Sequence, residues 1–369
     1  MIGNDIVALD LFSGPGGMSL GLARAGFTMA AAVDSERHAE RTYTRNSHHN
    51  RGARFVLADL SLASSADLLR QIGVGRSDIA LLAGGPPCKG FSSANMRTRN
   101  GQNPHNRLVD DFFRIAVEIR PQIFVMENVM GLVWFNEDFL QQCEHFTRLA
   151  SLGYEIDLLR TNALHYGVPQ NRERLLVIGN RLGRRPSGPR PTHGQGLGKP
   201  TVTLGEAIVG DLPPLKGEAG SQVCDYISEP SSPYQRAIRG RARRAHNHVV
   251  TGNSEAVKLR MSKVPVGGNW RDIPSEYLGI SVSHSCLYRR LDPARPSVTL
   301  GNFRKNMLIH PCEDRHLSLR EAARLQSFPD DYYFDGPTTV MQQQIADATP
   351  PLLAEALGRS LLRLLTGKR

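Results

Sequence analysis

This chain lacks a disulfide framework, a cysteine metal site and a membrane span. Its 369 residues hold only five cysteines (Cys88, Cys143, Cys224, Cys286 and Cys312), odd in number, widely spaced and with no Cys-x-x-Cys pair. That pattern argues against structural disulfides and zinc, and for a reducing compartment. No apolar run approaches the roughly 20 residues that cross a bilayer. The start Met1-Ile2-Gly3-Asn4-Asp5 has no basic flank of the signal-peptide kind. Internal repeats are absent too. These absences lead to the expectation of a cytoplasmic protein with no metal and no membrane partner. At roughly 150 residues per domain the length suggests two domains.

Positive charge is what the chain has in excess, with a net +10. It is concentrated in residues 181–294, where 17 Lys/Arg against 9 Asp/Glu give 17 − 9 = +8. A localised positive field is the electrostatic footprint of a polyanion partner, although a solvated basic surface gives the same count.

The first half alternates strand-like and helix-like runs. Ile6–Phe12, Met29–Val33, Phe55–Ala58, Ile79–Ala83 and Ile123–Met126 are short and apolar, and Met18–Ala25 and Leu108–Ile119 are helix-compatible. Tyr154–Arg160 and Leu175–Gly179 are again strand-like. This alternation predicts a doubly wound parallel sheet, whose functional loops follow the carboxyl ends of the strands. Asp34, Asp59, Cys88 and Glu127 all follow such ends. From Gly183 to Gly220 there are nine glycines and six prolines, which marks an exit from the first domain. The basic cluster Arg236–Arg244 follows, and helix-like patterning returns at Leu317–Phe328 and Pro351–Leu365.

Two loops carry chemistry. Asp10-Leu11-Phe12-Ser13-Gly14-Pro15-Gly16-Gly17 follows a strand and opens a helix, where glycines admit a ligand to the backbone and helix N–H groups favour an anionic group. Asp34, about 18 residues past Gly16, can bind ribose hydroxyls. This reads as a nucleoside-cofactor site and leaves a nicotinamide and S-adenosylmethionine both open. The second loop, Gly84-Gly85-Pro86-Pro87-Cys88-Lys89-Gly90-Phe91-Ser92, sets one cysteine between rigid turn-formers, a placement suited to a nucleophile.

Asp10–Gly17, Pro86-Pro87-Cys88, Glu127-Asn128-Val129 and Gln170-Asn171-Arg172-Glu173-Arg174 stand in the order and spacing of DNA cytosine-5 methyltransferases. The chain resembles that family over nearly its whole length, with Arg295–Leu300 and Leu317–Pro329 matching later motifs. The resemblance implies a doubly wound, Rossmann-like S-adenosylmethionine-dependent methyltransferase domain with a second, smaller and irregular target-recognition domain. It gives Cys88 the role of adding to cytosine C6, Glu127 the protonation of N3, and Arg172 and Arg174 contacts to the base O2 edge, a phosphate or the catalytic loop, with Arg174 the better candidate for O2. The implied cofactor site draws on Phe12, Gly14, Gly16, Gly17, Asp34, Asp59, Leu60, Pro86 and Asp347. The expected partner is double-stranded DNA, engaged by a monomer that flips the target base out of the duplex. Residues 89–106 suit a loop that closes over that base. The expected domains are 1–180 (catalytic), 181–294 (target recognition) and 295–369 (a return completing the catalytic domain). A restriction–modification partner and a solitary enzyme both fit. RNA cytosine methylation and a silent DNA-binding regulator are the rival readings.

The chain departs from the family pattern in three places. Lys89 replaces a glutamine and Asp34 a glutamate. Ile345-Ala346-Asp347-Ala348-Thr349-Pro350-Pro351 replaces the usual Gly-Asn-Ala-Val-Pro-Pro, exchanging a permissive glycine and a cofactor-lining asparagine for Ala346 and Asp347.

Overall fold

The computed structural model describes residues 6–87, 104–134, 138–185, 188–215, 219–278, 287–301, 303 and 307–367. The chain divides into two units. One comprises Met1–Tyr166, Glu173–Pro191 and Ala348–Arg369, and the other comprises Gly167–Arg172 and Thr192–Asp347.

The first unit is built on a seven-stranded sheet of Val7–Leu11 (β1), Thr28–Asp34 (β2), Arg54–Leu57 (β3), Ile79–Gly84 (β4), Ile123–Asn128 (β5), Glu155–Asn162 (β6) and Glu173–Asn180 (β7). Its order is β3-β2-β1-β4-β5-β7-β6. Strands β1 to β5 pair in parallel, whereas β7 runs antiparallel to both of its neighbours. The reversal of β7 departs from the all-parallel expectation. The connection 163–172 holds one short 3-10 turn and is too short for the crossover that a parallel return needs.

Both faces of the sheet are covered, which is why its strands read as apolar runs rather than as alternations. Leu9, Leu11, Leu82, Phe124 and Met126 bury one face with Phe112 and Phe113 of the helix Pro104–Ile119. Ala8, Leu81, Ala83, Ile123 and Val125 bury the other with Leu22 of the helix Gly17–Ala25 and Ala354, Leu357 and Leu361 of the C-terminal helix Pro351–Thr366. No helix among the described residues is long and apolar enough to cross a membrane.

The second unit has little regular structure. An antiparallel ribbon pairs Gly220–Asp225 with Arg244–Val249, and Ser297–Val298 pairs in parallel with Gln170–Asn171. Buried arginines supply much of its cohesion. Arg324, fully buried, forks onto Asp211 (2.7 and 2.8 Å) and Asp330 (2.9 and 2.7 Å) and reaches the Ala207 carbonyl at 3.0 Å. Arg320, one helical turn earlier, donates to the carbonyls of His246, Pro329 and Tyr332. These bonds tie the helix Leu319–Leu325 to the second unit. The division therefore differs from the expected boundaries 1–180, 181–294 and 295–369. The chain returns to the first unit at Ala348 rather than at 295, and residues 167–172 leave it.

Candidate active site

The order of the sheet reverses between β1 and β4, whose outgoing loops diverge and leave a crevice at their carboxyl ends. Leu11 of β1 pairs with Gly84 of β4, which sets the glycine-rich loop beside the start of the cysteine loop. Gly84 is required at this crossing, because a β-carbon there would lie 2.6 Å from the Leu11 carbonyl oxygen and 3.0 Å from the Phe112 ring. The glycine-rich loop turns on residues with positive φ. They are Phe12 (53°), Gly14 (51°) and Gly16 (94°), the last capping the helix Gly17–Ala25. Phe12 is strained, since a side chain rarely adopts that conformation.

Asp34, at the end of β2, holds this loop in place. Its Oδ2 accepts the Gly14 N–H at 2.8 Å and its Oδ1 the Glu36 N–H at 3.1 Å, while burial pushes its pKa up. The Ser35 N–H also bonds this carboxylate, which leaves it one further acceptor site for a hydroxyl. Asp59, past the end of β3, folds its own turn by accepting the Ser61 N–H (2.9 Å) and Oγ–H (2.7 Å) on Oδ1. Its Oδ2 takes no hydrogen bond among the described residues. Leu60 is buried beneath that turn.

The end of β5 carries the polar pair. Glu127 is 6 % exposed, and Nε of Arg174 lies 2.9 Å from its Oε1. That contact is an ion pair without hydrogen-bond alignment, so Oε1 accepts no hydrogen bond among the described residues. Oε2 faces the cysteine loop, 3.6 Å from where a β-carbon on Gly85 would stand. The next residue, Asn128, is 5 % exposed and donates from Nδ2 to the Pro86 carbonyl at 3.1 Å. Its Oδ1 accepts the Val129 N–H at 2.8 Å. The strand end thus presents a carboxylate and at the same time pins the backbone two residues ahead of Cys88. Cys88 itself, and the loop expected over 89–106 as far as residue 103, lie outside the described residues.

Arg172 and Arg174, two residues apart, belong to different units. Arg174 pairs with Glu127 in the first. Arg172 is 1 % exposed in the second and donates from Nη1 to the Ala346 carbonyl at 3.0 Å, at the end of the helix Thr338–Asp347. Gln326 also reaches that carbonyl, at 3.2 Å. Ala346 is helical there and needs no glycine freedom. Asp347 is exposed and accepts from Gln343 at 2.5 Å.

Four residues near these loops were not singled out from the sequence. Asn128 stood inside a quoted motif without a role. Thr349 places Oγ1 4.0 Å from the β-carbon position of Gly85. Arg114 contacts the Asp59 turn. Asp10 is fully buried, accepts from Ser19 Oγ at 2.6 Å and is pushed by burial up to about 7. Only Asn128 had a legible signal, an amide that directly follows a strand-end carboxylate.

A doubly wound sheet with a glycine loop after β1, carboxylates after β2 and β3, and a buried carboxylate–arginine pair beside Gly85 defines an α/β protein with a crevice suited to a nucleoside ligand. Comparison with known proteins narrows the class. The model of the C-5 cytosine-specific DNA methylase family matches residues 6–363, and the chain belongs to that family. It is 35% identical over 362 residues to the type II methyltransferase M1.HphI of Haemophilus parahaemolyticus, covering 98% of this chain and 87% of that one. It is 31% identical over 378 residues to the type II methyltransferase M.DdeI of Desulfomicrobium norvegicum, covering 96% and 88%. Among solved structures, a prophage-encoded E. coli protein described as a DNA modification methyltransferase superposes with a TM-score of 0.78 at 27% identity, over 98% of this chain and 100% of that one.

Proposed function

We propose that this member of the C-5 cytosine methylase family transfers a methyl group from S-adenosylmethionine to C5 of a cytosine flipped out of duplex DNA. The observation that carries the proposal is the buried Glu127–Arg174 ion pair beside Gly85, whose Oε1 accepts no aligned hydrogen bond among the described residues. A buried acceptor of this kind costs stability unless a ligand completes it.

The cofactor supplies an electrophilic methyl group on a sulfonium. The residues fit such a nucleoside ligand: Asp34 and Asp59 offer acceptors at successive strand ends, and Gly14, Gly16 and Gly17 bring backbone close, with Phe12, Leu60, Pro86 and Asp347 completing the proposed set. Cytosine C5 is a poor nucleophile until C6 is attacked. Cys88, as thiolate, adds to C6, and the electron pair displaced through the ring is accepted at N3, where the Glu127 carboxyl supplies a proton. C5, made nucleophilic in this way, would accept the methyl group that the cofactor would supply when held by these residues. The C5 proton then passes to a solvent base, the electron pair left behind restores the C5–C6 double bond and expels the Cys88 thiolate, and N3 returns its proton to Glu127. Arg174 orients Glu127 and supplies a donor toward O2. Arg172, which gives Nη1 to the Ala346 carbonyl, is kept in the proposed set as a contact to a phosphate or to the catalytic loop.

DNA is held by the exposed arginines of the second unit. Arg236, Arg241, Arg243 and Arg244 stand exposed between the helix Pro233–Arg239 and the strand Arg244–Val249. Phosphate contact is the role such side chains fill most often. The enzyme acts as a monomer in the cytoplasm.

Bisulfite sequencing of plasmid DNA from a methylation-free host tests this reading. Expression of the chain should protect cytosines within one short motif, and Cys88→Ala should protect none while still binding DNA. No protected cytosine with well-expressed, folded protein would refute it.

A further inference from the structure

We propose that Arg114 is a positioning residue of the cofactor site, clamping the turn at Asp59 and Leu60 to the helix Pro104–Ile119. The inference rests on reading that turn as part of the cofactor site. The side chain is 20 % exposed and spends its donors in two directions. Nη2 donates to the Leu60 carbonyl at 2.6 Å and Nη1 to the Ala63 carbonyl at 3.2 Å. On its own helix, Nε meets Asp111 Oδ1 at 3.2 Å and Nη1 meets Glu118 Oε1 at 3.3 Å, one turn before and one turn after. The two carboxylates fix the plane of the fork, and the fork then fits two carbonyls three residues apart in the turn.

An arginine that served only its helix would need neither carbonyl. Intrahelical pairs of this kind contribute little. A planar fork across two backbone oxygens is different, because it selects one conformation of the turn. Asp59 already uses Oδ1 inside that turn, and its free Oδ2 points wherever the turn directs it. Arg114 therefore governs where the carboxylate and the Leu60 backbone are presented. Lysine cannot replace it, being a point charge without two fixed donor directions. The coupling is reciprocal: a ligand that orders the turn must also steady the helix, by thermodynamic linkage.

The test uses the full-length protein and S-adenosylhomocysteine, the unreactive product, as probe. Calorimetric affinity should fall about tenfold in Arg114→Lys, the effect of losing a pair of charge-assisted bonds. Arg70→Lys, the same exchange at an exposed helix arginine whose partner is Asp67 rather than a backbone carbonyl, should keep wild-type affinity, and duplex DNA should bind all three proteins alike. In the wild type, the probe should slow amide exchange in the helix around Arg114 as well as in residues 59–63. Equal affinity in wild type and Arg114→Lys overturns the proposal, as does an equal loss in Arg70→Lys. Protection confined to residues 59–63 also overturns it, and needs no variant. A wild type that fails to bind the probe removes the cofactor reading itself, an outcome distinct from the other three.

Discussion

Asn128 should matter far more to the reaction than to the fold. Asn128→Ala removes two buried hydrogen bonds, one to the Pro86 carbonyl at 3.1 Å and one from the Val129 N–H at 2.8 Å. At about 1 kcal/mol each, with a further penalty for the stranded carbonyl, the loss is about 1–3 kcal/mol. That lowers the melting temperature by about 2–4 °C per kcal/mol, which a folded variant survives. The chemistry is less tolerant. Pro86 is fixed by this amide two residues before Cys88, and a displacement of about 1 Å at a reacting group costs on the order of a hundredfold in rate. Single-turnover transfer from labelled S-adenosylmethionine at saturating DNA isolates that step. The expected result is a drop of about two orders of magnitude with DNA affinity unchanged. Asn128→Asp sharpens the test. It keeps an acceptor for Val129 but turns a carboxylate oxygen toward the Pro86 carbonyl, so at neutral pH it should be slower than the alanine variant. Its rate should recover as pH falls and the new carboxyl becomes a donor. A single-turnover rate in Asn128→Ala within about threefold of wild type would refute the reasoning.

Arg324→Leu should destabilise the protein by about 3–5 kcal/mol, because it strands Asp211 and Asp330 as uncompensated buried charges, a loss that urea titration will show. The same variant should leave the salt dependence of DNA binding intact, whereas Arg241→Ala and Arg243→Ala should each shallow the slope of log K against log salt by about 0.9 if each contacts one phosphate. His248 sits with Nε2 on the Pro213 carbonyl and Nδ1 on Ser318 Oγ, both at 2.9 Å, among Glu321, Arg315 and Arg324, and burial lowers its pKa from 6.5. The unfolded chain takes up that proton first, so this stability is complete above about pH 6.5 and is lost as pH falls below it. Asp10 works in the opposite sense, its raised pKa costing stability as pH climbs from 3.8 to about 7. The clean readout is therefore the difference in urea midpoint between wild type and His248→Gln from pH 8 to pH 5, and a difference that does not shrink toward pH 5 would contradict the assignment.

The sheet was legible because parallel strands buried on both faces cannot hide their apolar runs. Each of the seven strands overlaps a run read from the sequence, and Asp34, Asp59 and Glu127 fall where strands end. The direction of β7 was not legible, since pattern gives a strand its faces but not its heading. The helix read over Leu317–Phe328 shrinks to Leu319–Leu325 because the chain leaves it through Ser327, which has a φ of 64°. The return at Ala348 was also hidden. What holds residues 295–347 to the second unit is a set of charge pairs reaching far along the chain, such as Arg324 to Asp211, and no local periodicity announces them.

Charge counting misled in an instructive way. The excess in residues 181–294 includes Arg290, which is buried and donates to the carbonyls of Met261, Val264, His310 and Glu313 as well as to Asp314. Arg239 is likewise engaged, at 3.7 Å from Asp211 and stacked over the Tyr226 ring. Farther along, Arg315 is neutralised by Glu313 and Glu321. A domain with so little helix and sheet leaves many backbone carbonyls without ladder partners. Arginine can satisfy several of them at once through a rigid fork of donors. Part of the positive composition is thus a consequence of irregular structure, and the field available to a polyanion is what remains after these residues are set aside. In the second unit that remainder is densest at Arg236, Arg241 and Arg243, three exposed cations within eight residues, while Arg244 beside them pairs with Asp225 at 2.8 Å. The same residue type therefore does two jobs here, and burial, which the sequence does not print, separates them.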